Sequence, residues 1–177
     1  MKLLIASDLH GRILGVKQLI SKFNEERCDK ILLLGDLLYG HGNDEFTSNY
    51  NRNDTVSLLN SYAEKITSVL GNCDSEWDVM EFYFPIIPDH TLFELDGITV
   101  FASHGNRYSP TNPPQIPKGS VMLGGHTHSY GISRLKSGII YINPGALDED
   151  SESYAIYENR TFKIKDFAGN ILDEITL

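Results

Sequence analysis

Residues 2–36 read KLLIASDLHGRILGVKQLISKFNEERCDKILLLGD, and the order of apolar and polar residues in this stretch decides the fold. Lys2 to Ser7 is a short apolar run closed by Asp8, and Lys30 to Leu34 is a second run closed by Gly35-Asp36. Between them Leu14, Leu19, Ile20 and Phe23 recur at roughly helical spacing, so strand, helix and strand follow one another as a βαβ unit. A run as continuously apolar as ILLLG suits a parallel strand covered on both faces. Farther on, the pattern predicts a second helix over about Asn53 to Lys65, with Val56, Leu58, Leu59 and Tyr62 on its buried side. Ile66 to Leu70 is predicted as the third strand.

From residue 90 the texture becomes β. HTLFELDGITVFAS carries the hairpin dipeptide Asp96-Gly97 between two strand-like runs, and SRLKSGIIYIN and SYAIYENRTFKIKDF repeat the pattern. Tyr108 to Lys118 holds four prolines and reads as a rigid loop, because strand-like sequence resumes at once. No internal repeat or low-complexity tract interrupts this order.

The bulk numbers agree with a single domain over 1–177: the chain has 177 residues, 41% apolar and 22% charged, an ordinary soluble composition. The N-terminal run meets Asp8 too soon for a signal peptide or a membrane span, which points to a cytoplasmic protein with no membrane partner. Cys28 and Cys73 form neither a CxxC pair nor a disulfide framework, in keeping with a reducing compartment. A formal net charge of −9 argues against gripping an extended nucleic acid, whose binding rests on Lys and Arg at phosphates. A small phosphate remains open if positive charge is supplied locally.

The polar residues at strand ends supply the means. Asp8 and His10 follow the first strand, Asp36 the second, Asn72 the third, His104 the VFAS run, and His126 with His128 the VMLGG run. In open α/β sheets the carboxyl ends of the strands form the binding crevice, so these side chains are expected to converge. Their donors are oxygen and imidazole nitrogen, which suit divalent ions, and they are too many for one ion. Two ions sharing one carboxylate account for the number. Set against Asp8, Asp36 and a bridging hydroxide, two divalent ions leave a formal charge of about +1, enough to draw a phosphate to an acidic chain. Such ions would also lower the pKa of the bridging water from ~15.7 towards ~7 and make it a nucleophile.

Taken in order, D-x-H (Asp8, His10), GD (Gly35, Asp36), GN-x-D (Gly71, Asn72, Asp74), HG (His104, Gly105) and GHTH (Gly125 to His128) resemble the five signatures of the calcineurin-like metallophosphoesterase superfamily. SDLHG, GNCDSE and INPGA resemble its small bacterial YfcE-type branch of phosphodiesterases. Each motif alone is weak, and all five in the right order are strong. The resemblance implies an αββα sandwich, two mixed β-sheets packed together with helices outside. It implies that Asp8, His10 and His128 hold one metal, that Asn72, His104 and His126 hold the other, and that Asp36 bridges them. It further implies two divalent ions, Mn²⁺ first, with Zn²⁺, Fe, Ni²⁺, Co²⁺ or Mg²⁺ as alternatives.

Around that core, the catalytic candidates are Asn72, Cys73, Asp74 and Arg12. Many relatives carry a histidine where Cys73 stands, one thought to help protonate the leaving group. A thiol is a weaker donor, so substrates with good leaving groups are expected. Cys73 reads either as a pocket wall beside Asn72 or as a small buried filler, with Asp74 orienting its neighbours. Arg12 reads either as a forked phosphate contact or as a surface arginine at a helix start. Asn106 replaces a second histidine frequent after HG, and His41 either edges the pocket or is a solvated loop residue. No role is assigned to His90. Asn143-Pro144-Gly145 is expected to hold the loop beside the metals. Trp77, Tyr83 and Phe84 are expected in the core or in a subunit contact.

The reading is a metal-dependent phosphodiesterase acting on a small phosphodiester, with a hydroxide attacking phosphorus in line. Its competitors are a phosphomonoesterase or protein phosphatase with the same centre, and a non-catalytic scaffold of the same fold. On general grounds the assembly is a homodimer or a higher homo-oligomer, the dimer being the commonest soluble form.

Overall fold

The computed structural model describes residues 1–39, 49–147 and 152–177. In chain order the elements are β1 (Leu3–Ala6), α1 (Ile13–Glu25), β2 (Lys30–Leu33), α2 (Arg52–Asn60), a 3-10 turn (Ala63–Lys65), β3 (Ile66–Val69), α3 (Glu76–Val79) and β4 (Ile86–Ile87). They continue as β5 (His90–Leu95), β6 (Ile98–Ser103), β7 (Val121–Leu123), β8 (Gly131–Arg134), β9 (Ile140–Asn143), β10 (Ser153–Glu158), β11 (Thr161–Asp166) and β12 (Ile171–Thr176).

The strands form two mixed sheets, one of seven in the order β12-β11-β10-β1-β2-β3-β4 and one of five in the order β5-β6-β7-β9-β8. Alternation along β1 explains why both faces of the larger sheet are apolar. Leu4 and Ala6 pack with Val16, Leu19, Ile20 and Phe23 of α1, while Leu3 and Ile5 face Val100, Ala102, Val121 and Leu123 of the smaller sheet. The expected βαβ unit is present, with β1 and β2 parallel from Leu3↔Lys30 to Ala6↔Leu33. Its β1 also pairs antiparallel with β10, Leu3 opposite Tyr157, which closes the N-terminal unit onto the C-terminal meander. On the outer face of the smaller sheet, Phe101, Met122, Ile139 and Tyr141 are covered by Tyr108 and Ile116 of the Pro-rich loop and by Leu135.

The two-residue hairpin at Asp96-Gly97 forms as expected: Leu95 pairs with Ile98, and both turn residues take positive φ, 48° and 79°. The other two predicted hairpins are β8–β9 and β10–β11. Three details differ from expectation. The second helix ends at Asn60, where the Ser61 hydroxyl donates to Leu58 O at 2.6 Å and competes with the helical ladder, so that a separate 3-10 turn completes the segment. Leu59 alone of its predicted apolar side is fully buried, with Val56, Leu58 and Tyr62 half-buried beside it. Leu14 is 51% exposed, because Ile13, one position earlier, takes the inward place at the start of α1.

Candidate metal centre

The carboxyl ends of β1, β2, β3, β6 and β7 meet at one rim of the sandwich, and the loops leaving them carry the expected ligands. Five of those residues hold left-handed backbone that non-glycine residues seldom adopt: Asp8 (φ 55°), His10 (47°), Asp36 (53°), His126 (66°) and His128 (57°). Each such residue costs of order ~1 kcal/mol, and strain concentrated on one rim marks a functional site. Backbone bonds sustain it: Asp8 N donates to Gly35 O at 3.1 Å, His10 N to Asp36 O at 2.9 Å and Gly11 N to Leu37 O at 2.8 Å. Two glycines permit the close approach, since a Cβ on Gly71 would overlap the amide and carboxylate of Asp36, and one on Gly125 would overlap Ser7 and Asp8.

The side chains form two adjoining groups. In the first, His10 Nε2 lies 3.2 Å from His128 Nε2, and Asp8 Oδ1 lies 3.4 Å from His128 Nε2 and 3.8 Å from His10 Nε2. Asp8 Oδ1 is buried with no hydrogen-bond partner among the described residues, while Oδ2 accepts from His126 N at 2.9 Å. In the second, His104 Nδ1 donates to Leu34 O at 2.8 Å, which leaves Nε2 facing Asn72 Oδ1 at 3.0 Å and Asp36 Oδ2 at 3.3 Å. The ring of His126 stands 5.1 Å from that of His104. Asp36 joins the groups, its Oδ2 also lying 3.9 Å from His10 Nε2.

In the second group acceptors face one another, because His104 Nε2 meets Asn72 Oδ1 and Asp36 Oδ2 with its Nδ1 hydrogen already given to Leu34 O, an arrangement that a proton on His104 or a metal ion reconciles. In the first, a single imidazole hydrogen between His10 Nε2 and His128 Nε2 suffices, and Asp8 Oδ1 stays unpaired among the described residues. The ligating atoms of Asp8, His10 and His128 lie within 4.8 Å of one another, as do those of Asp8, Asp36 and His104. An orphaned buried carboxylate oxygen and convergent imidazoles are the donor set a divalent ion requires, and the Nδ1–Leu34 bond is the kind of outer contact that fixes a ligating tautomer. The titration behaviour follows from the same geometry. Burial lowers His10 against the pull of Asp36 and Asp8. Burial opposes the charge on Asp36, yet His104 and the Cys73 amide bring its carboxyl down to about 2. His104 is raised by Asp36 and Asp8 despite its burial.

The remaining candidates fall into distinct places. Cys73 is half-buried. Its amide donates to Asp36 Oδ1 at 2.8 Å, its sulfur accepts from Asn72 Nδ2 at 3.3 Å, and burial with the Asp36 charge pushes the thiol up to about 12. Asp74 receives four backbone donors, Asp36 N and Gly71 N at 2.9 Å, Leu37 N at 2.7 Å and Leu38 N at 3.2 Å, and so clamps the loop after β2 to the loop after β3. Burial outweighs these donors and, with the Asp36 charge, raises its carboxyl to about 6. Arg12 is 7% exposed where α1 begins, which rules out a solvated surface arginine.

Asn143 Nδ2 donates to Gly125 O and to Thr127 Oγ1, both at 3.0 Å, and thereby pins the loop carrying His126 and His128. Asn106 is exposed, and His41 lies outside the described residues. His90 stacks on Phe101 at 4.8 Å, against the outer-face cluster of the smaller sheet. Of the aromatic trio, Phe84 is core at 5% exposure, whereas Trp77 and Tyr83 are 66% and 80% exposed, so the core reading fails for those two. One neighbour escapes sequence reasoning: Tyr39 stacks on His10 with centroids 4.2 Å apart. An aromatic three residues beyond the GD motif was its only signal.

Among known families, the calcineurin-like phosphoesterase superfamily domain matches residues 1–161. The chain belongs to that superfamily. Among characterised members, phosphodiesterase YfcE of Escherichia coli strain K12 is 29% identical over 168 residues, 93% of this chain and 91% of that protein. Phosphodiesterase MJ0936 of Methanocaldococcus jannaschii is 29% identical over 149 residues, 82% of this chain and 83% of that protein. The solved structure of YfcE, described as a phosphoesterase from E. coli, superposes with a TM-score of 0.91 at 28% identity and covers 99% of both chains. The superfamily's two-sheet sandwich is thus the fold of this chain, and the Asp/His groups at its rim stand where its sheets meet.

Proposed function

We propose that this calcineurin-like phosphoesterase hydrolyses small phosphodiesters at a centre of two divalent ions, Mn²⁺ being the first choice. One observation carries the reading: at one rim Asp8 Oδ1 lies buried without a hydrogen-bond partner among the described residues beside His10 and His128, and His104 Nε2 faces the acceptor oxygens of Asn72 and Asp36. In this reading Asp8, His10 and His128 hold one ion, Asn72, His104 and His126 the other, and Asp36 reaches both. When bound, the ions supply Lewis-acid charge for the phosphoryl oxygens and lower the pKa of water from ~15.7 towards ~7, which yields a hydroxide nucleophile at neutral pH.

The protein's own part is positioning. Asp74 sets the backbone of residues 36–38 and so the direction of the Asp36 carboxylate, while the Asn72 side chain donates Nδ2 to Cys73 Sγ, which turns its Oδ1 towards His104. The Cys73 thiol is a weaker proton donor than an imidazolium, so departure of the leaving oxygen depends on its own acidity. The likeness to relatives named phosphodiesterases supports the choice of diester over monoester. Comparing turnover of an aryl phosphodiester with that of its monoester in Mn²⁺ tests it: faster diester hydrolysis is expected, and a clear monoester preference would reject the substrate class.

A further inference from the structure

The two buried imidazoles of the centre are oriented by different means. His104 is fixed through Nδ1, which donates to Leu34 O at 2.8 Å. His10 lacks such a bond, for its Nδ1 is buried with no hydrogen-bond partner among the described residues. Its ring instead lies against Tyr39, centroids 4.2 Å apart and planes inclined by 25°. A ring held by no outer hydrogen bond is free to turn about its own bond unless a flat surface blocks it, and a stacked aromatic is such a surface. The position of Tyr39 is itself determined, because Leu37 and Leu38, immediately before it, donate their amides to Asp74.

We infer that Tyr39 is the positioning residue of the first metal: its ring face, not its hydroxyl, keeps His10 Nε2 aimed at the space shared with Asp8 and His128. This rests on the proposed metal centre and extends it to a residue outside the ligand set. The chain of support runs from Asp74 through the loop after β2 to Tyr39, then to His10 and the ion. Outer contacts that orient a ligating histidine are typically worth about tenfold to a hundredfold in metal affinity.

The test is calorimetric titration of metal-stripped protein with Mn²⁺, for wild type, Tyr39→Phe and Tyr39→Leu, paired with proton NMR of the His10 ring in the metal-free state. Wild type and Tyr39→Phe are expected to share the same two affinities, with Tyr39→Leu weakening one of them by about tenfold or more. The His10 ring protons should carry a ring-current shift in wild type and Tyr39→Phe that disappears in Tyr39→Leu. Unchanged affinities in Tyr39→Leu, or equal loss in Tyr39→Phe, overturns the inference. Wild-type protein that binds no Mn²⁺ overturns the metal centre and this inference with it, and the ring-current shift, which needs no metal, distinguishes that result from failure of the stack.

Discussion

Asp74 is the residue whose removal should be felt most widely, although it is not one of the proposed metal ligands. Its carboxylate accepts from four backbone amides on two loops, an economy that no neutral side chain reproduces. In Asp74→Asn the amide group would confront two of those donors, and a loss of about 2–3 kcal/mol in urea unfolding is expected, together with weaker Mn²⁺ binding. A variant with wild-type midpoint would show that the loops are held by other contacts. That the residues proposed as ligands would gather at one rim was legible in the sequence, because each follows closely on an apolar run, where only the chain's immediate order matters. Tyr39 was not legible, since its stack on His10 depends on the path of a loop rather than on spacing. The exposure of Trp77 and Tyr83 was also hidden, because aromatic content does not tell which way a short helix and the bend after it turn.

At the scale of elements, α1 offers a clean test of which face is buried. Leu19 is fully buried against the larger sheet and Leu14 is 51% exposed. Leu19→Ala is expected to cost about 2–5 kcal/mol in chemical denaturation, and Leu14→Ala less than about 0.5 kcal/mol. The reverse order would place the helix in a different rotation. The end of α1 is tied to the sheet by Glu26, which bonds Lys2 at 2.9 Å and also bonds Lys165. Burial opposes ionisation of Glu26, but these two lysines hold its pKa below the ordinary value. A depressed folded-state pKa gives stability that is present above the unfolded value near pH 4.5 and lost as pH falls through the folded one. Glu26→Gln should therefore cost about 0.5–1 kcal/mol at pH 7, with the difference from wild type fading in acid. A difference independent of pH would assign the effect to packing.

For the whole molecule, the local strand–helix–strand order was readable from residue type, whereas the antiparallel pairing of Leu3 with Tyr157 was not, because a contact across most of the chain leaves no periodic trace. That pairing brings the C-terminal meander onto the sheet that bears Asp8 and Asp36, while the smaller sheet bears His104, His126 and His128. The centre thus draws on both sheets, and the sheets already share an apolar core that owes nothing to metal. Stripping with a chelator should leave the chain folded by circular dichroism, with Mn²⁺ then raising the melting temperature in proportion to its binding. The most direct measurement is anomalous scattering from crystals grown with Mn²⁺. Two peaks about 3.5–4 Å apart are expected, one beside Asp8, His10 and His128 and the other beside Asn72, His104 and His126, with Asp36 between them. A rim without manganese, with peaks only elsewhere on the molecule, would contradict the assignment of these side chains to a two-ion centre.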